Sequence, residues 1–146
     1  MTAGKLIQTL KSSNGPILSL NFNPNEFVLA SCSVDGSTRV FDLQTFEEIS
    51  CYTDAYAEKI IFSNDGLELL ACCQTSLQVL GWEPISLVRE IPVQWNQVNS
   101  TRDFKILPDT EKGIACVTNG NYIDVWGFQL KKVHNHLRLL LIKLSS

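Results

Sequence analysis

The chain has 146 residues, of which 45% are hydrophobic and 18% charged, with a net charge of −3. At about 150 residues per domain that is one globular domain, large enough to bury its own core without a metal or disulfide staple. The longest wholly aliphatic run, Leu139–Ile142, is far short of a membrane span, and Met1–Gly15 lacks the apolar stretch of a secretory signal, so neither destination is expected.

Lys5–Leu10 can serve as an outer strand ahead of the first well-patterned segment. Ile17–Phe22 alternates like a half-buried strand and stops at Asn23-Pro24. Val28–Asp42 then reads as strand, tight turn, strand, with Asp35-Gly36 supplying a two-residue hairpin loop. Phe46–Tyr52 completes a unit of four strands. The same grammar returns at an offset of 40, where Phe62-Ser63-Asn64 corresponds to Phe22-Asn23-Pro24. Leu69–Cys73, Leu77–Leu80 and Leu87–Val93 supply the matching strands. A weaker third copy runs from Ile114–Thr118 through the turn Asn119-Gly120 to Tyr122–Gly127.

The segment 129–146 reads as a basic amphipathic tail. Val133, Leu137, Leu140, Leu141 and Leu144 fall on one helical face, with Asn135, Arg138 and Lys143 mostly opposite. Leu137, Leu139 and Leu141 alternate equally well as a strand, which would pair with the outer edge of the third unit. The helix is preferred because Leu, Lys and Arg are good helix formers.

Charge divides along the chain. Lys131, Lys132, Arg138 and Lys143 all follow the last acid, Asp124, and setting them aside leaves eight basic residues against 15 acids. The body therefore carries −7 and the tail +4, which disfavours a nucleic acid partner. The five cysteines are odd in number and contain no C-x-x-C; Cys72 and Cys73, adjacent in a strand, face opposite ways. Buried reduced thiols are expected, with no metal site and no cofactor.

No catalytic constellation is expected either. The only histidines, His134 and His136, lie in the tail, away from any nucleophile they could activate. Glu47-Glu48 reads as an exposed strand end and the eight glycines as scattered turn residues.

Four short strands repeated at a period near 40 resemble a β-propeller of WD repeats. The resemblance implies an all-β fold: a partial WD40-type propeller over 1–128, about three four-stranded blades, with 129–146 as a short C-terminal tail. In the family's well-formed repeats a hydrogen-bond relay joins a histidine, a strand hydroxyl, the turn aspartate and a tryptophan. Carried over, Ser31 matches the hydroxyl and Asp35 the carboxylate. Phe41 stands at the tryptophan position without an N–H, and the histidine position falls near Ser13. These are structural turn residues. Arg39, Trp82 and Trp95 are candidate partner contacts.

A narrower resemblance concerns Asp65–Leu70 and Gln74–Pro84, ending in Gly81-Trp82-Glu83-Pro84. Together with Asn23–Ser31 and Val93–Val98, these are similar to the WD-repeat regulatory subunit of katanin. That likeness implies a non-enzymatic interaction module in the cytoplasm, associated with the cytoskeleton. Its expected partners are proteins, among them components of a microtubule-severing complex. No nucleic acid, membrane or direct microtubule contact is expected. Three blades are too few to close a ring, so apolar sheet faces should remain open and drive association.

Overall fold

The computed structural model describes residues 4–94, 103–106, 113–119, 122–133 and 136–143. Three four-stranded antiparallel sheets account for its strands. Blade 1 is β1 (Ile17–Phe22), β2 (Val28–Ser33), β3 (Thr38–Asp42) and β4 (Glu47–Tyr52), in that spatial order. Blade 2 repeats it with β5 (Ala57–Phe62), β6 (Glu68–Cys73), β7 (Ser76–Trp82) and β8 (Ile85–Pro92). Blade 3 comprises β9 (Phe104–Ile106), β10 (Gly113–Asn119), β11 (Tyr122–Val133) and β12 (His136–Lys143). No helix occurs among the described residues.

The registers repeat as the strands do. Leu20 lies opposite Ser31 as Ile60 lies opposite Ala71, and Phe22 opposite Leu29 as Phe62 opposite Leu69. Ser19, Lys59 and Lys105 are likewise equivalent, lying opposite Cys32, Cys72 and Cys116. The sheets stack face to face, with β5 against β1 and β2, and β9 against β5. Between blades 1 and 2 lies the core: Val28, Ala30, Cys32 and Val40 meet Ala57, Ile60, Phe62, Leu69, Ala71 and Leu80. All six residues of β6 are buried, because a central strand with a sheet on each side has no face left for water. The outer strand β8 is exposed from Ser86 to Glu90.

Three local expectations are corrected. Lys5–Leu10 forms no strand and pairs with no described strand; Leu6 and Ile7 are about four-fifths exposed. The tail is not a helix. β11 continues unbroken through Val133, and β12 pairs with it from Trp126↔Lys143 to Val133↔His136. An unpaired strand edge offers a row of donors and acceptors, and that pairing overrides a helix propensity of tenths of a kcal/mol per residue. The β2–β3 loop is not a two-residue turn; it spans Val34–Ser37, and only Gly36 takes positive φ there, at 87°. Asp35 serves as an acceptor rather than as a left-handed residue.

Leu80 is fully buried at the joint of blades 1 and 2. Leu80→Ala should lower unfolding stability by about 2–5 kcal/mol, the usual cost of such a cavity. Leu20→Ala, at a residue 59% exposed, should change it little. Urea denaturation followed by tryptophan fluorescence measures both.

Candidate interaction surface

Alternate residues of the first repeat reach across to the second. Ser19 Oγ accepts from Ile60 N at 3.3 Å, and Asn21 Oδ1 from Phe62 N at 2.9 Å. Asn23 Nδ2 donates to Gly66 O at 2.9 Å, and Asn25 Nδ2 to Asp65 O at 2.7 Å. On the outer strands, Ile85 N donates to Ser50 Oγ at 2.7 Å. The period of two in Ser19, Asn21, Asn23 and Asn25 was visible in the sequence, but a polar row on a strand ordinarily signals a solvent face. Here it signals a joint.

Asp35 holds two loops together at the other end of blade 1. Its Oδ1 accepts from Ser37 N (2.9 Å) and Ser37 Oγ (2.6 Å), and its Oδ2 from Asn14 N (3.0 Å). Those bonds, with Ser37 foremost, pull its carboxyl down to about 2. Ser31 Oγ bonds Ser12 Oγ at 2.5 Å, so Ser12 takes the place expected near Ser13, whose own hydroxyl donates to Gly15 O. Phe41 is buried in β3. Gly36 is required twice over: for its φ, and because a Cβ there would stand 2.7 Å from the Tyr56 ring.

The proposed partner contacts fare differently. Trp82 is only 6% exposed. Its Nε1 donates to Gly66 O at 2.8 Å and its ring meets Phe62 edge-on at 6.1 Å, so it belongs to the core and is not offered to a partner. An indole buries best where its N–H finds an acceptor, and the Asp65-Gly66 turn supplies one. Arg39 lies half-buried on β3, bonded to Glu48 Oε2 at 2.6 Å. Trp95 lies outside the described residues.

Cys32, Cys51, Cys72 and Cys73 are thiols outside any disulfide. Burial pushes the thiols of Cys32 and Cys73 up to about 12, and Cys73 Sγ donates to Ala55 O at 3.0 Å. Two surface features stand out, the first an open apolar face of the kind expected from the sequence. The inner strand of blade 1 leaves Leu18, Leu20 and Phe22 open to solvent, 47%, 59% and 67% exposed. A hollow of about 300 Å³ at the blade's end is lined by Asn25, Glu26, Phe27, Val28, Asp42 and Gln44. Phe27 is largely exposed, and Glu26 and Asp42 share the lining with it.

Comparisons with known proteins agree with this architecture. Residues 4–42 match the family model "WD domain, G-beta repeat". The chain is 33% identical over 109 residues to the mouse Periodic tryptophan protein 2 homolog, covering 72% of this chain and 11% of that one. It is 35% identical over 78 residues to mouse WD repeat and HMG-box DNA-binding protein 1, covering 53% and 6%. The chain thus spans about a tenth or less of these relatives' length. Among solved structures it superposes on the WD40 domain of SCAP from fission yeast with a TM-score of 0.68 at 19% identity, covering 93% of this chain and 34% of that one. On Sqt1 of Saccharomyces cerevisiae the TM-score is 0.62 at 12% identity, covering 99% and 39%. The fold is a partial WD40-type propeller, and the first repeat matches the WD repeat family model.

Asp35 and the buried thiols each generate a test. A carboxyl held at about 2 against an ordinary 3.8 contributes stability above pH 4 that is lost as pH falls toward 2. Asp35→Asn should therefore flatten the fall in urea midpoint over that window, as measured by titration at half-unit steps. Alkylation by iodoacetamide at pH 8, read by mass spectrometry, should modify half-buried Cys51 before Cys32, Cys72 or Cys73. Denaturant should abolish the order.

Proposed function

We propose that the chain is a non-enzymatic WD-repeat interaction module that binds other proteins through the surfaces of its stacked blades. The observation that carries this reading is the division of labour among its polar residues. Those of the repeat, Ser19, Asn21, Asn23, Ser31 and Asp35, are engaged in joints and turns. The apolar residues Phe22 and Phe27 stand on the outside, as expected of a docking surface. No group of three or more metal-ligating side chains occurs among the described residues.

The finer reading is that the partners belong to a microtubule-severing complex, in the cytoplasm and on the cytoskeleton. It is supported by the similarity of Asp65–Pro84 to the katanin regulatory subunit. The mouse relatives carry other names, one of them that of a WD repeat and HMG-box DNA-binding protein. A body of charge −7 argues against carrying that partner over to this chain. The same charge argues against direct contact with the acidic surface of tubulin, so the link to microtubules runs through another protein or through the basic residues of β11 and β12.

Co-sedimentation with microtubules tests the finer reading. The intact chain alone should pellet weakly at low salt and not at all at about 0.3 M, where the Debye length is near 6 Å. Replacing Lys131, Lys132, Arg138 and Lys143 with Gln should remove the low-salt binding. Tight, salt-insensitive binding by that variant would place the contact on other residues of the blades.

A further inference from the structure

The hollow at the end of blade 1 differs from the same place in blade 2 in a way the fold does not require. Repeat offset and register put Gly66 where blade 1 has Glu26, and Gly81 where it has Asp42. Blade 2 thus makes the same strand pairings with no side chain at either position. Blade 1 sets a carboxylate at each, around a cavity of about 300 Å³ that Phe27 also lines. No hydrogen bond or ion pair among the described residues engages the Glu26 carboxylate. Asp42 uses only Oδ1, which accepts from Gln44 N at 2.7 Å and Thr45 N at 3.3 Å. Phe27 is 71% exposed, and that exposure belongs to its position in the repeat. Its counterpart Leu67 is still 49% exposed in blade 2, which has a blade on each side. Val28 and Asp42 lie opposite each other, and Val28 is in the core shared with blade 2, so this wall is not on the blade's open face.

We propose that this hollow binds an arginine side chain of a partner protein, with the guanidinium laid on the Phe27 ring and its N–H groups donated to Glu26 and Asp42. The inference rests on the reading of the chain as an interaction module and names one surface and one ligand chemistry for it. Charge sets the sign of the occupant. From Ser12 to Glu58 the chain holds seven acids and a single base, Arg39, which is already bonded to Glu48. The blade therefore supplies no cation of its own to this end, and an anionic ligand would meet like charge. The ring decides between the two basic side chains. A guanidinium is planar and weakly hydrated, so it stacks on an aromatic face while its donors fork to carboxylates. An ammonium is a compact point charge that holds its water more firmly. Size agrees, because a cavity of about 300 Å³ is at the small end of ligand sites and suits one long side chain.

Titration of the isotopically labelled full chain with N-acetyl-arginine amide, followed by amide NMR, tests the site. Saturable shifts should centre on residues 25–28 and 42–45. N-acetyl-citrulline amide, which has nearly the same shape without the charge, should bind about fivefold more weakly. Phe27→Ala and Glu26→Gln, both at exposed positions, should each weaken arginine binding about two- to fivefold and leave the remaining amide signals in place. Citrulline amide or N-acetyl-lysine amide bound as tightly as arginine amide would overturn the proposal. So would shifts scattered over the acidic surface, or either variant binding as the parent does. Those outcomes bear on this site alone, since the module reading stands while any other surface of the blades binds a protein.

Discussion

The joint between consecutive blades is the constraint on which the rest depends. A four-stranded sheet of this sequence has apolar residues on both faces and cannot satisfy them alone. The first joint solves two problems with one alternating pattern. Odd-numbered residues from Ser19 to Asn25 project polar groups to the second repeat, where they meet amides of β5 and carbonyls of the Asp65-Gly66 turn. Residues Val28, Ala30, Cys32 and Val40 bring apolar surface against Ile60, Phe62 and Leu80. The hydrogen bonds contribute about 0.5–1.5 kcal/mol each, and losing a buried partner costs about 1–3. They therefore determine the register between blades, while apolar burial supplies most of the stabilisation.

That joint explains why the family's relay can be incomplete. The relay normally ties strand, turn and neighbouring loop within a repeat. Here Asp35 still clamps the loop at Asn14 to the loop at Ser37, but the chain of bonds stops at Ser12–Ser31, because Phe41 carries no donor. In blade 2 the register equivalent of Phe41 is Leu80, which likewise carries no donor; Trp82, two residues further on, donates to Gly66 O, which Asn23 of blade 1 also uses. The indole thus braces from within blade 2 the same turn that blade 1 grips from outside. The interaction surface is what remains once these bonds are made: inner-strand apolar residues, the hollow at Phe27 and the exposed outer strands.

The sequence by itself determined the repeat. Alternation, turn residues and the offset of 40 gave seven of the eight strands of blades 1 and 2 to within two residues, and marked β5 only by its end at Phe62, since period-two burial leaves a direct mark on residue order. It also placed Asp35 and Gly36 in a turn, though not the turn's length, because a carboxylate accepting three hydrogen bonds and a residue adopting positive φ look alike as letters. What only the tertiary structure decided concerns edges and neighbours. Whether Lys5–Leu10 and His136–Lys143 become strands depends on pairing across the chain; the second pairs with β11 and the first with no described strand. Whether Trp82 is a contact or a core residue depends on an acceptor 16 positions away that the fold brings within 2.8 Å. Propensity and pattern act along the chain, whereas edge pairing and burial act across it. The second kind of interaction settled where each apolar face of this protein went.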